Sequence, residues 1–300
     1  MSTAATHADH PQHRVWVTDL LLLLMALIWG INFSVVKVGM QWLEPLAFNG
    51  VRVALATVVL LVVVRVQGLA LPPRRQVLAL LGLGVLGNGL YQIFFVEGIA
   101  RTRAGNAALV MAAGPALIAF MGRFYGVEKL HARGYMGIAL SIAGIGIVMS
   151  GTATAEIGNA SVIGDGLILC GAVTWAAYSV LLKPLTHHVD GVMVSALTML
   201  GGAVPLLAVA SPDIARTSWT ALPVQAWLAI AYSGIFALVI AYLIWYRGIK
   251  LIGPTRTSMY SNLQPIFAVM VAWAALGEVP TLAQVAGAAA VMAGLLLTRT

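Results

Sequence analysis

One spacing pattern occurs twice in this chain of 300 residues. Five residues of the first half recur 150 positions later: Gly98, Pro115, Glu128, Gly137 and Gly144 correspond to Gly248, Pro265, Glu278, Gly287 and Gly294. Further upstream, Trp29 and Lys37 recur as Trp175 and Lys183 at an offset of 146, which implies a four-residue insertion or deletion between the copies. The chain is therefore two copies of one structural unit, and its fold has to accommodate both.

The composition indicates the solvent in which these units fold. Apolar residues make up 60% of the chain, charged residues only 9%, and the mean hydropathy is +0.94. Too little polar surface remains to cover a soluble protein of this size, so we expect both halves to lie in a membrane. Two membrane-embedded repeats that enclose a site between them are common among secondary transporters.

Apolar stretches of about 20 residues, enough to cross a hydrocarbon core about 30 Å thick, are separated by short connectors. Ten membrane helices are predicted, near residues 15–38, 45–66, 76–97, 103–122, 132–151, 162–183, 190–210, 224–246, 255–275 and 281–298. The first span is too long for the core of a cleavable signal peptide, so we expect it to be retained. The predicted organisation is a polar cytoplasmic tail at 1–14, a five-helix repeat at 15–151 and a second, inverted one at 152–300.

The lysines and arginines orient these helices. With the N-terminus in the cytoplasm, twelve of them fall on the cytoplasmic side and four on the other. The positive-inside rule then places both termini in the cytoplasm, and an odd number of helices per half makes the second repeat inverted. The predicted fold class is all-α integral membrane, with ten transmembrane helices as two inverted five-helix repeats around a central cavity. We expect a multi-pass protein of a bacterial-type inner (plasma) membrane.

Several chemistries are excluded by what the sequence lacks. The net charge of +7 comes from residues scattered over connectors, with no basic run with interleaved aromatics, so we expect no nucleic-acid partner. The single cysteine, Cys170, cannot form a disulfide or a thiolate metal site, and we interpret it as a small core residue. No motif of an intramembrane protease is present, so we predict no enzyme activity, cofactor or metal.

Polar residues at mid-depth are costly in lipid, so we expect them to face a partner helix or a water-filled cavity. They occur on the first, third, sixth and ninth predicted helices, beside aromatic residues. The structural alternative is that they form hydrogen bonds that hold the bundle together. The predicted cavity-lining, substrate-binding set is Trp29, Asn32, Asn88, Tyr91, Trp175, Tyr178, Ser258 and Asn262. Such a lining suits a small molecule with an apolar or aromatic part and hydrogen-bonding ends.

The charged residues in and near these spans give less direct evidence of a substrate site than the polar residues do. No Asp, Glu or His lies at mid-span, which argues against a carboxylate-driven proton pump and favours a uniporter or exchanger. Arg52 is the only cation well inside a predicted span. It either contacts a substrate carboxylate, or its side chain reaches back to the interface or bonds backbone carbonyls. Glu278 precedes the tenth helix and is expected to stabilise that helix's N-terminus. The pair Trp245-Tyr246 is expected in an interfacial aromatic belt.

Glycines and prolines complete the pattern. Gly82, Gly84 and Gly87 spell G-x-G-x-x-G, but no strand is predicted before them, so close helix packing is the preferred interpretation over dinucleotide binding. Pro115 and Pro265 occupy matching positions in the fourth and ninth helices, and each favours a kink. We interpret this pair as a hinge beside the cavity, with static kinks as the alternative.

The end of each repeat resembles a known family. Leu276-Gly277-Glu278, followed by Thr281, Gln284 and Gly287, resembles the end-of-repeat signature of the EamA-type branch of the drug/metabolite transporter superfamily. Trp29-Gly30 with Asn32, and Arg52 after Phe48, resemble the start of that family's repeat. The resemblance implies ten helices in two inverted halves, with a cavity lined mainly by helices one, three, four, six, eight and nine. Within the family, the chain is most similar to inner-membrane exporters of aromatic and other neutral amino acids.

The function expected from these features is export of small neutral amphipathic metabolites, amino acids including aromatic ones, by alternating access without ion coupling. The expected partners are a small-molecule substrate and membrane lipid, and the expected state is a monomer. One alternative is a proton-coupled exporter of drugs or other metabolites. The other is a membrane receptor or scaffold that transports nothing, although signalling does not require two inverted copies of one unit.

Overall fold

The computed structural model describes residues 11–125, 132–154, 158–186, 188–252, 257 and 260–299, and these residues form helices joined by short connectors. Three helices change geometry along their length, and we keep one label for each of them. The bounds are α1 (Pro11–Gly39), α2 (Pro45–Val66), α3 (Arg74–Gly84, Val85–Leu90 and Tyr91–Arg101), α4 (Ala104–Met111 and Gly114–Phe124), α5 (Ala132–Thr154), α6 (Gly158–Thr186), α7 (Gly191–Arg216), α8 (Val224–Ala231, Tyr232–Ile240 and Ala241–Ile252), α9 (Gln264–Leu276) and α10 (Leu282–Arg299).

Seven of the described helices are long and apolar enough to cross a membrane, namely α1 to α4 and α6 to α8. Three shorter apolar helices, Ala132–Val148, Gln264–Leu276 and Leu282–Gly294, lie where the sequence predicts the fifth, ninth and tenth spans. An all-helical membrane fold is therefore confirmed for the described residues. The count of ten spanning helices stays a prediction.

Helix contacts pair the two halves in a regular way. Two helices of the first half contact the second half: α1 packs against α8 and α9, and α2 packs against α8. Two helices of the second half contact the first half: α6 packs against α3 and α4, and α7 packs against α3. Each contact has a counterpart in which both helices are exchanged for their repeat equivalents. Each half therefore makes the same set of contacts with the other.

The irregular segments also recur at matching positions. Residues Val85–Leu90 of α3 and Tyr232–Ile240 of α8 form π-helical turns, and the two segments are about one repeat apart. The helix α4 breaks at Ala112 and Ala113, just before Pro115, and a 3₁₀ turn at Ser261–Leu263 precedes Pro265 of α9. Both prolines lie in the first turn of the helix that follows, where the missing N–H would have had no intrahelical partner.

The last helices of the two repeats, α5 and α10, pack through glycines. A Cβ built on Gly144 would lie 2.8 Å from the carbonyl oxygen of Gly287, and one on Gly294 would lie 2.4 Å from that of Gly137. Residue numbers rise along α5 as they fall along α10, so the two helices are antiparallel. Because Gly137 and Gly144 are the repeat equivalents of Gly287 and Gly294, the same contact is made twice with the roles exchanged.

Glycines also bring α3 and α7 into backbone contact. A Cβ on Gly84 would lie 2.1 Å from the carbonyl oxygen of Thr198, and a Cβ on Gly201 would lie 2.1 Å from that of Leu81. The helix-packing interpretation of the G-x-G-x-x-G motif is confirmed for Gly84, whereas a Cβ on Gly82 would meet nothing within 4 Å.

Two expectations about single residues are wrong. Cys170 is exposed on α6 rather than part of the core, because the helix turns this position away from its neighbours. Glu278 does not bind the start of α10: its carboxylate accepts hydrogen bonds from the backbone N–H groups of Ala104 and Gly105, at the start of α4. The start of α10 is instead capped reciprocally by Thr281 and Gln284. Glu128, its repeat equivalent, lies outside the described residues.

Candidate functional site

A cavity of about 60 Å³ lies between the two halves of the bundle. Residues of α1 to α4 line it from the first half, and residues of α6, α8 and the segment that leads into α9 line it from the second. The lining residues are Trp29, Asn32, Phe33, Arg52, Tyr91, Gln92, Phe95, Met111, Gly114, Pro115, Ile118, Trp175, Ala237, Leu238, Tyr242, Trp245, Ser261 and Gln264. Pockets that bury drug-sized ligands measure about 300–1,000 Å³, so a substrate of that size requires these walls to separate.

Five aromatic rings of the lining contact one another. The ring centroid of Trp29 lies 6.4 Å from that of Trp175, 5.9 Å from Tyr242 and 5.7 Å from Trp245. Trp175 in turn lies 5.1 Å from Tyr91. The Nε1–H of Trp29 donates to the carbonyl oxygen of Ala237 at 2.9 Å, within the π-helical part of α8. We call these five rings the aromatic cluster; edge and tilted contacts of this kind hold the rings in place.

Asn32, Arg52 and Gln92 add polar groups to the cavity lining. Asn32 Oδ1 accepts a hydrogen bond from the hydroxyl of Ser233 at 2.6 Å, which links α1 to α8. Arg52 Nη2 donates to Gln92 Oε1 at 2.7 Å, and Arg52 Nε donates to Asn49 Oδ1 at 2.8 Å. The cavity lining therefore combines aromatic rings with polar groups, one of which carries a positive charge.

Four of the eight predicted site residues, Trp29, Asn32, Tyr91 and Trp175, line this cavity. Tyr178 is not part of the lining. Its ring packs against Trp175, with centroids 5.3 Å apart, and its hydroxyl contacts Thr198 and Tyr246.

Asn88 also lies outside the lining. It is fully buried in the π-helical turn of α3, against α7, where a Cβ on Gly202 would lie 2.5 Å from the Asn88 Cβ. Ser258 lies outside the described residues, and so does the side chain of Asn262. The neighbouring Ser261 and Gln264 line the cavity from this segment.

The two predicted hinge prolines have different surroundings. Pro115 lines the central cavity at the break in α4. Pro265 lines a separate, apolar cavity of about 270 Å³ among α4, α9 and α10. Both prolines lie at helix starts, at matching positions of the two repeats. Their role as a hinge stays a prediction.

The sequence-based set missed several lining residues. Trp245, expected in an interfacial belt, is 3% exposed and lines the cavity, so that expectation is wrong. The helix α8 continues to Ile252, beyond the predicted end at 246, which places Trp245 well inside the bundle. Gln92 and Tyr242 were missed for another reason. The sequence shows that these polar side chains lie on membrane helices, but it does not show which face of each helix is turned toward the cavity.

Acidic groups are absent from the described lining. Within the described residues, no group of three or more His, Cys, Asp or Glu side chains could hold a metal ion. One carboxyl group, that of Asp165, is fully buried in the second turn of α6 and accepts a hydrogen bond from Thr102 Oγ1 at 2.5 Å. Asp165 therefore lies near the start of α6 and outside the cavity lining.

Comparison with known sequences matches both halves of the chain to one family. Residues 16–150 and 162–300 each match the EamA-like transporter family. An uncharacterized inner membrane transporter of Escherichia coli (strain K12), YedA, is 33% identical over 264 residues, which cover 86% of this chain and 82% of that protein. The uncharacterized transporter YyaM of Bacillus subtilis (strain 168) is 29% identical, with 92% of each chain covered.

One further sequence and one solved structure are also similar to this chain. A probable amino-acid metabolite efflux pump of Salmonella typhimurium (strain LT2) is 28% identical, with 92% of each chain covered. A crystal structure with 19% sequence identity matches this fold with a TM-score of 0.66 and covers 94% of this chain and 98% of its own. At that identity, the match shows the fold alone.

Proposed function

We propose, from the premise that this chain belongs to the EamA-like transporter family, that it moves small amphipathic molecules across the inner membrane through the central cavity. The observation that carries the proposal is the cavity itself, which takes its lining from both repeats and combines an aromatic cluster with polar groups. A site between two equivalent halves is suited to alternating access, in which the halves rock about a fixed site.

The proposed arrangement is ten membrane helices in two inverted halves, 15–151 and 152–300. The antiparallel contact of α5 with α10, and the paired contacts of the other helices, support a two-fold relation between the halves. The distribution of lysines and arginines supports cytoplasmic termini. A reporter fused to the C-terminus is expected to report the cytoplasmic side, and a periplasmic signal would contradict the inverted arrangement.

Contacts between the halves support a closed state on one side. Glu278 of the second half binds the backbone at Ala104 and Gly105 of the first, and Gln284 Nε2 donates to Asn106 Oδ1. In the proposed topology these residues lie on the external side. Opening the cavity toward that side requires these bonds to break, so we assign them to the closed external gate.

We propose amino acids with an aromatic or other apolar side chain as substrates. The aromatic cluster offers a face for the side chain, and the polar groups of the lining offer hydrogen bonds to the backbone end. The amino-acid efflux pump among the relatives points the same way. The alternatives are a proton-coupled exporter of other metabolites and a receptor that transports nothing.

We propose that transport proceeds without ion coupling, since no acidic residue occurs in the described lining. In liposomes that contain only this protein, labelled L-phenylalanine should exchange in counterflow at a rate that changes little when pH or voltage differences are imposed. Empty liposomes are the control. Exchange that requires a proton gradient would favour the proton-coupled exporter, with Asp165 as the first residue to test, and no exchange of any amino acid would favour the receptor.

A further inference from the structure

Arg52 is a buried cation that borders the cavity. Its residue is 1% exposed, and its guanidinium carbon lies 5.8 Å from the ring centroid of Phe48 and 5.6 Å from that of Phe95. Two of its three nitrogens have partners: Nε donates to Asn49 and Nη2 donates to Gln92. The third, Nη1, has no hydrogen-bond partner among the described residues.

The charge of Arg52 also has no counter-ion there. Its hydrogen bonds go to neutral amide oxygens, and the cavity lining that the structure describes includes no Asp or Glu. Elsewhere in the described helices, ion pairs join Arg101 to Glu97 and Arg216 to Asp213. A buried cation is costly unless an anion is brought to it, because the interior solvates charge poorly.

The positive charge belongs to one half only. The repeat offset of 146 places Thr198 at the position that matches Arg52. Thr198 is buried and donates its hydroxyl hydrogen to the carbonyl oxygen of Val194, one turn back in α7. Packing of the two-fold-related helices therefore does not itself require an arginine. The cavity lining therefore carries a positive charge that only the first half contributes.

We propose that Arg52 binds the carboxylate of the substrate through Nη1, while the apolar part of the substrate contacts the aromatic cluster. This inference rests on the proposed transport function and narrows it. The substrate class becomes monocarboxylates with an aromatic or apolar group. A free ammonium group is not required, because the described lining offers it no carboxylate partner. Amino acids and the corresponding acids without an amino group should therefore compete for one site.

Three related probes separate the contributions of the two charges. L-Phenylalanine carries both groups, phenylacetate only the carboxylate, and 2-phenylethylamine only the ammonium. In counterflow of labelled L-phenylalanine by the wild-type protein, phenylacetate should compete at least about tenfold more strongly than phenylethylamine, the ratio that one charge-assisted hydrogen bond provides. Equal competition by both probes would overturn the assignment of the carboxylate to Arg52, and leave the proposed transport function standing.

Variants then test the residue itself. Arg52→Gln should remove the preference for phenylacetate over phenylethylamine, and Arg52→Lys should retain part of it because the charge is kept. Arg216→Gln is the matched control, since that side chain is largely exposed and pairs with Asp213. The wild-type competition pattern tests the inference even where Arg52→Gln fails to fold. A folded Arg52→Gln protein with the wild-type preference would overturn it, and a wild-type protein that exchanges none of the probes would overturn both it and the proposed function.

Discussion

Trp29→Ala is expected to reduce L-phenylalanine counterflow at least about tenfold, a loss of about 1.4 kcal/mol of binding or transition-state free energy. The variant loses ring contacts with Trp175, Tyr242 and Trp245 and the hydrogen bond to Ala237. Trp29 is only partly buried because it borders the cavity, so truncation enlarges an existing space. The measurement is the initial counterflow rate for equal amounts of folded protein.

Trp273→Ala is the matched control for this prediction. Its side chain is 59% exposed on α9 and lies outside the described cavity lining. Its counterflow rate should stay close to that of the wild type. If Trp29→Ala is folded and transports at the wild-type rate, the aromatic cluster is a packing core and not a substrate surface.

Gly84→Ala is expected to destabilise the protein by about 1–3 kcal/mol or more, the cost typical of an overpacked contact. The added methyl group meets the backbone of Thr198, and backbone cannot move aside as a flexible side chain can. The helices α3 and α7 would have to separate. The measurement is the midpoint of thermal unfolding of the purified protein in detergent, followed through tryptophan fluorescence.

Gly82→Ala serves as the control on the same helix, because its Cβ would meet nothing within 4 Å. It should leave the midpoint unchanged or raise it slightly, since alanine is favoured over glycine in a helix by up to about 1 kcal/mol. Equal midpoints for the two variants would contradict the close approach of α3 and α7.

Much of the fold follows from the sequence because a helix must be apolar over about 20 residues to cross the lipid. The position of a residue along its span also indicates its depth in the membrane. Trp29 and Trp175, both predicted near mid-span, are indeed in ring contact. The direction that a side chain faces is not readable from depth. A π-helical turn adds a residue to the helix, and each residue turns the helix by about 100°. Asn88 lies in such a turn and faces α7 rather than the cavity.

Arg52 shows a second limit of the sequence. A cation about two turns inside a span is compatible with a side chain that reaches back to the interface, so its position alone does not decide its role. Its burial depends on Asn49 one turn earlier and on Gln92 of another helix. That contact between α2 and α3 is set by tertiary packing, which no spacing pattern within either helix encodes.

A thiol placed in the cavity tests the central claim, that substrate passes between the two halves. Gly114 lines the cavity, and a Cβ there would meet nothing within 4 Å, so Gly114→Cys should be tolerated in a Cys170→Ala protein. Gly146→Cys on α5 is an equally uncrowded control outside the described lining. Complete labelling of Gly114→Cys with a methanethiosulfonate reagent should abolish counterflow, L-phenylalanine should slow the labelling, and labelled Gly146→Cys should stay active. Full labelling of Gly114→Cys with unchanged counterflow would contradict transport through this cavity.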